Sequence, residues 1–383
     1  MQKKVRYIFL RIIIIAIFSC KLSVGHAQQD LETKLSWIDG WTIGSSFHTG
    51  KMLNHHSYMS LLVERSAWLA ELYMAKRANG NLPWHSFFGY PDYGFKLTVV
   101  DFGSPTYIGK AYSLHPFMKF YLINRNCRFT PSITASAGPA YVEKIFDRHD
   151  NYKNTAIGSH MNAFLQLQFD LNIRISNNIH AFTGFSFSHF SNGSFKKPNA
   201  GANIITAKIG AGYAFGETVK QPHGKMRRDA KEGEERKWSY RTILSGGLKR
   251  IDIGDSQYGV LGMSFEASRK HLAYTRANGS FDVFYDGSDY HAIHNQVFYD
   301  GDISRLQTVK VGLAVGYELL FNRVSANFQL GAYLYTKQKE GSATYQRFTI
   351  RYMATENIGV QFGLKSHMAA ADYIELGCIY RIR

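Results

Sequence analysis

Only three cysteines occur in 383 residues, too few for a disulfide framework, so the fold cannot rest on covalent staples. One of them, Cys20, falls in the N-terminal segment, and a bridge between Cys127 and Cys378 has no support beyond their being the remaining pair. Beyond that segment no apolar run is long enough for a transmembrane helix, and few stretches show helical periodicity, which excludes a helical membrane protein. The fifteen histidines do not combine with carboxylates or cysteines at metal-ligand spacing: His55-His56, His291 with His294, and His367 read as loop residues. Asp282, Asp286 and Asp289 are read as an outer loop with calcium-binding residue types, but no helix-loop calcium motif surrounds them.

What the chain does have begins with an export signal. Lys3, Lys4, Arg6 and Arg11 precede an apolar run from Ile12 to Phe18, and Gly25-His26-Ala27 supplies small residues at a cleavage point, so residues 1–27 read as a signal peptide. Ile-Phe-Ser ahead of Cys20 is a poor lipoprotein box. Removing 1–27 takes away five basic residues and no acid, so the net charge falls from +16 to +11.

The remainder alternates. Met161, Ala163, Leu165, Leu167, Phe169, Leu171 and Ile173 share one strand face, opposite Asn162, Gln166, Gln168, Asp170, Asn172 and Arg174. The same dyad recurs with Val309, Val311, Leu313, Val315 and Tyr317, with Val324, Ala326, Phe328 and Leu330, and with Ile358, Val360, Phe362 and Leu364. Soluble strands run about five to six residues and membrane-spanning ones about nine to eleven; segments of this length with Gly-rich polar faces predict an all-β, antiparallel transmembrane barrel. Aromatics gather at segment ends, at Phe120-Tyr121, Tyr213, Phe215, Tyr333, Tyr335 and Tyr380, as an interfacial girdle would. About eight segments precede residue 217 and six to eight follow residue 238, a total of roughly 12–16 strands. They are expected to close as one large barrel, because two barrels need two separate insertions. The order is then a barrel part over 28–217, a mixed-charge periplasmic linker over 218–237, and further strands over 238–383. Interleaved acids such as Asp229, Glu232, Glu234 and Glu235 argue against a nucleic-acid arm in the linker.

One segment breaks the alternation rule in an informative way. On the strand over 181–191, Phe185, Phe187, His189 and Ser191 share a face, and Gly184, Ser186 and Ser188 lie opposite. A histidine and a serine two apart on an apolar face are out of place in a soluble core. On a lipid-facing wall they put a nucleophile and a base where an acyl ester lies. Short turns such as Ser176-Asn177-Asn178 belong to the periplasmic side and longer loops such as 147–154 and 192–202 to the outer side. This strand therefore rises outward and carries His189 and Ser191 to the outer-leaflet interface. In the next strand Asn203 shares its face with Ile205, Ala207, Ile209, Ala211 and Tyr213.

His189-Phe190-Ser191-Asn192-Gly193 with Lys197-Pro198-Asn199 and Asn203 resembles the active-site signature of the outer-membrane lipid A 3-O-deacylases (PagL type), eight-stranded barrels that hydrolyse an ester-linked acyl chain of lipopolysaccharide. The resemblance spans roughly 36–217 and is specific over 185–203. The full length, including Phe284-Tyr285-Asp286-Gly287-Ser288, resembles longer acyloxyacyl-hydrolase-like proteins. The resemblance implies Ser191 as nucleophile, His189 as general base, and Asn192 with the backbone at Gly193 as oxyanion donors, with no cofactor and with lipid A of the outer membrane as partner. The family's glutamate falls on Asn203, which accepts the imidazole N–H but lacks the charge that steadies imidazolium. Lys196 and Lys197 offer either charge for lipid A phosphates or simple solubility. Two functions fit this pattern: a serine esterase acting on lipid A, and a non-enzymatic outer-membrane barrel, pore or surface protein, with a degraded site. Asn203 and the extra C-terminal strands favour the second more than the first.

Overall fold

The computed structural model describes residues 38–54, 57–125, 127–216, 238–294, 304, 308–337, 342–368 and 370–382. The signal segment 1–27, the charged linker 218–237 and the pair His55-His56 lie outside these.

Eight strands precede the linker: β1 (Trp41–Met52), β2 (Ala67–Arg77), β3 (Asp92–Asp101), β4 (Lys110–Tyr121), β5 (Phe129–Val142), β6 (Met161–Arg174), β7 (Ile179–Ser191) and β8 (Ala202–Ala214). Eight follow it: β9 (Trp238–Lys249), β10 (Tyr258–Leu272), β11 (Thr275–Asp286), β12 (Val309–Phe321), β13 (Val324–Tyr335), β14 (Thr344–Met353), β15 (Ile358–His367) and β16 (Ala370–Arg381). Neighbours pair antiparallel throughout, and the strands form two closed barrels, β1 to β8 and β9 to β16. This corrects the expectation of one large barrel. β8 returns to β1 in unbroken register from Thr42↔Ala214 to Met52↔Ile204, so the first sheet has no free edge left for β9. β9 closes against β16 instead, with Leu376↔Gly246 to Arg381↔Arg241.

The apolar dyad faces outward in both barrels. Met161, Phe169, Phe185, Leu313 and Phe328 are all exposed on the outer wall, while Asn162, Gln166, Gln168 and Asp170 are buried inside. An eight-stranded barrel has an interior just wide enough for side chains, and here charged side chains fill it. In the first barrel Glu71 accepts from Lys96 (3.2 Å), Gln166 (2.8 Å), Gln168 (3.1 Å) and Ser46 (3.1 Å), and Lys208 pairs with Asp170 at 3.0 Å. In the second, Arg347 pairs with Glu375 (3.0 Å), Arg351 with Glu266 (2.8 Å) and Arg241 with Glu318 (3.0 Å). Every charged member of these pairs is at most 5% exposed. Charges withdrawn from water this completely need partners, and they find them across the lumen. Such filled interiors are plugs, not aqueous channels.

Three details depart from the sequence reading. Tyr121 and Tyr333, expected in the aromatic girdle, turn inward: Tyr121 donates to Asp92 (2.6 Å) and Tyr333 packs on Tyr345. Asp282 and Asp286 are strand residues of β11, and Asp289 belongs to helix α2 (Gly287–His294), so they are not an open loop. They are taken up by cations: Asp282 lies 3.5 Å from Arg347, Asp286 pairs with Lys249, and Asp289 pairs with Lys310 at 2.8 Å. His291 and His294 belong to helix α2 and His367 ends β15 rather than lying in loops, and His367 Nε2 meets the Tyr333 hydroxyl at 3.0 Å. Cys127 and Cys378 are free.

The barrels stand side by side in the same orientation. At the end with the longer connections, Arg148 donates to Ile253 O (3.2 Å) and Ser194 to Ala371 O (2.7 Å). At the end with the short turns, the connection between β2 and β3 carries helix α1 (Pro83–Phe87), from which Trp84 packs edge-on to Phe321 and Phe87 against Tyr274. Long outer loops and short periplasmic turns are the habit of bacterial barrels, so the first end is the outer one. The outer mouth of the first barrel is sealed by an apolar cluster that includes Met59, Leu62, Phe102, Ile157, Phe164 and Phe190.

Candidate active site

β7 and β8 are joined at the outer end by residues 192–201 and pair with His189 directly opposite Asn203. Because side chains alternate along a strand, this pairing puts both on the same wall, in line with the exposed Phe185, Phe187, Ile205 and Ile209. His189 Nδ1 lies 2.6 Å from Asn203 Oδ1. An amide oxygen only accepts, so the proton of the neutral imidazole sits on Nδ1 and the acceptor lone pair on Nε2. Ser191 lies two residues up the same face, opposite Ala163 of β6. Exposure falls along this row, from 65% at Phe185 to 42% at Phe187 and 6% at Ser191. The row thus passes from lipid-facing wall into a covered recess.

The turn after Ser191 is tightly built. Gly193 (φ 61°) and Ser194 (φ 63°) are both left-handed, and Phe195 N–H closes the turn on Asn192 O at 3.2 Å. Glycine adopts this backbone without a Cβ penalty, and a second constraint acts on it: a Cβ at Gly193 would lie 2.4 Å from Ile374 Cγ1 of β16. Asn192 braces the loop with every donor it has. Its backbone N–H goes to Asn199 Oδ1 (2.9 Å), and its side-chain amide to Ser159 Oγ (2.9 Å) and Lys196 O (2.8 Å). Of the two residues expected at an oxyanion, only Gly193 then retains an N–H not committed to this bracing.

The loop returns through Gly201 (φ 79°), where a Cβ would come within 3.0 Å of His189 Cε1. Gly201 therefore gives the imidazole its space. Lys196 and Lys197 are both partly buried. Lys196 lies near Asp147, whose carboxyl is held low by the backbone N–H groups of Asp150 and His149, with a smaller contribution from the lysine. Burial pushes the Lys197 ammonium below its ordinary value, and the nearby Lys249 charge adds to this.

The structure therefore brings His189, Asn203, Ser191 and the Asn192-Gly193 turn to one recess at the outer end of the first barrel. Ser159, Gly201, Ala371 and Ile374 belong to the same recess and were not singled out by sequence reasoning. Gly201 could have been suspected as a glycine two residues before Asn203. The others arrive from distant segments through barrel closure and barrel pairing, for which a single sequence carries no signal. Among the described residues no group of histidine, cysteine and carboxylate ligands could hold a metal ion.

No curated protein sequence matches the chain. Among solved structures, Neisserial surface protein A is similar over 46% of this chain and 98% of its own, at 11% identity and a TM-score of 0.33. The outer membrane enzyme PagL is similar over 44% of this chain and 97% of its own, at 17% identity and a TM-score of 0.31. Residues 71–212 match the family model for lipid A 3-O-deacylase (PagL), and residues 238–383 match that for the acyloxyacyl hydrolase C-terminal domain. With one family model on each barrel, the chain belongs to the PagL lipid A 3-O-deacylase family and carries its acyloxyacyl hydrolase C-terminal domain.

Proposed function

We propose that this outer-membrane hydrolase cleaves an ester-linked acyl chain of lipid A by serine catalysis at Ser191. The observation that carries the reading is the His189–Asn203 contact of 2.6 Å on the lipid-facing wall, directly below Ser191. A histidine held in one tautomer beside a serine is of little use to a structural wall, where apolar side chains serve better, and is what acyl transfer requires.

In the proposed cycle, His189 Nε2 removes the Ser191 proton as Oγ attacks the ester carbonyl. The resulting oxyanion is met by the Gly193 N–H. Collapse of the tetrahedral intermediate breaks the ester C–O bond, and His189 passes its proton to the departing sugar hydroxyl. Water, deprotonated by His189, then attacks the acyl-serine, and the fatty acid leaves as Ser191 regains its proton. Asn203 fixes the imidazole orientation throughout but contributes no charge to the imidazolium, so the rate is set below that of a carboxylate-assisted site. Asn192 shapes the turn that aims the Gly193 N–H.

Incubating the purified protein with lipopolysaccharide and weighing the lipid A by mass spectrometry tests this. The expected result is loss of one acyl chain, absent with Ser191→Ala. Unchanged lipid A with the wild-type protein, or equal deacylation by Ser191→Ala, favours the non-enzymatic barrel instead.

A further inference from the structure

Two cations at the seam between the barrels lack the partners their surroundings call for. Lys197 is well over half buried, yet its nearest polar contact is the Ser194 hydroxyl at 3.4 Å. No carboxylate lies within ion-pair distance of it among the described residues. Asp252 and Asp372 act on it only from further off, and Asp372 is committed to Lys249 and Lys365, each at 2.7 Å. Across the seam, Arg250 donates its backbone N–H to Ser194 O at 2.8 Å. Its side-chain Nε is buried without a hydrogen-bond partner, and its guanidinium forms no ion pair among the described residues. The Ser194 turn thus ties a half-buried ammonium of one barrel to an arginine of the other whose Nε is buried, neither of them ion-paired among the described residues. Burying a charge unpaired is costly.

We propose that Lys197 and Arg250 form one anion site across the barrel seam, and that its occupant is a phosphate of the lipid A head group. The position fits that occupant. The turn that leads to Lys197 and accepts the Arg250 backbone N–H is the one that follows Ser191, at the outer end of the strand, so a lipid whose acyl ester lies at Ser191 has its sugar-phosphate head at the level of the turn. Arg250 supplies planar donors that grip phosphate oxygens, and Lys197 a point charge. The second barrel would then contribute directly to substrate capture, giving it a task that the short deacylase barrel lacks. The identity of the lipid rests on the deacylase reading; the anion site itself does not.

The test uses the full-length Ser191→Ala protein in detergent, so that binding is read without turnover. Equilibrium affinities are compared for bisphosphorylated lipid A, phosphate-free lipid A and inorganic phosphate. The parent is expected to prefer the phosphorylated lipid by about tenfold or more, as one charge-assisted contact implies. Lys197→Gln and Arg250→Gln should each reduce that preference, the double change should bring it near unity, and Lys197→Arg should retain most of it. Heat-modifiable migration on gels reports whether each barrel is folded. No preference in the parent, or a preference that survives the double change in folded protein, overturns the proposal. Inorganic phosphate binding as tightly as the phosphorylated lipid overturns the lipid occupant. Should the wild-type protein release no acyl chain while the phosphate preference holds, the deacylase reading fails and the anion site stands.

Discussion

The two barrels share a plan and differ in what they do with it. Each has eight strands, an apolar outer wall and a lumen filled with buried ion pairs. The first barrel turns His189 outward on its seventh strand, in line with lipid-facing phenylalanines. The second ends its own seventh strand in His367, which turns inward to Tyr333 and Lys365, and leaves Val360 and Phe362 on the wall. The same residue type at a similar height in the fold is thus a wall group in one barrel and a lumen group in the other. A scaffold of this kind carries chemistry only where a polar side chain breaks the outward apolar row, and among the described residues only the first barrel breaks it with a histidine, a serine and an amide together.

That contrast yields its largest expected effect at the wall histidine. His189→Ala and Ser191→Ala should each lower lipid A deacylation by about 10³-fold or more, with the double variant no worse, because the members of a catalytic unit fail together. His367→Ala should leave the rate within about twofold. A steep loss on His367→Ala would erase the distinction between the barrels.

Next in size come the lumens. Arg347 is wholly buried between Glu375 (3.0 Å) and Asp282 (3.5 Å), so Arg347→Met takes the paired cation from two buried carboxylates at once, leaving them the hydrogen bonds from Gln361 and Tyr345, and should cost about 3–5 kcal/mol. Lys96→Met in the first barrel should cost less, about 1–3 kcal/mol, because a single carboxylate loses its cation and Glu71 keeps three further donors, Gln166, Gln168 and Ser46. Urea unfolding in micelles measures both. Equal losses would mean that the amide and hydroxyl network around Glu71 does not substitute for its cation.

Smaller effects probe the site's fine structure. Asn203→Glu restores a charge beside the imidazole and should raise turnover about tenfold, since a carboxylate in that place steadies the imidazolium; unchanged or lower turnover would show a site settled on a neutral partner. Gly193→Ala presses a methyl group on Ile374 and should lower turnover about tenfold through the turn, with partial recovery when Ile374→Ala makes room. Absence of that recovery would assign the loss to backbone strain at φ 61° alone.

Most of the architecture was legible in the dyads. Met161 to Ile173 and Val309 to Tyr317 face outward as the period of two requires, and strand length distinguished a membrane wall from a soluble sandwich. The meeting of His189 and Asn203 was legible too, because two adjacent outward faces can be aligned on paper. The closure was not. Whether β8 turns back to β1 or passes on to β9 depends on tilt and register summed over eight strands, and no single residue declares it. Tyr333 was misplaced because the aromatic girdle and an aromatic lumen use the same residue type, and only its neighbours Phe284 and Tyr345 decide between them. The seam was invisible for a related reason: Ile374, Ala371 and Arg250 acquire meaning only once a second closed barrel stands beside the first.

The central claim, that Ser191 is the nucleophile, is tested most directly by trapping it. Purified protein treated with an acyl-chain fluorophosphonate, digested and mapped by mass spectrometry, should carry a single phosphonyl adduct on Ser191. The adduct should disappear in His189→Ala and persist in His367→Ala. An adduct on another residue, or lipid A hydrolysis that continues while Ser191 stays unmodified under excess reagent, would contradict it.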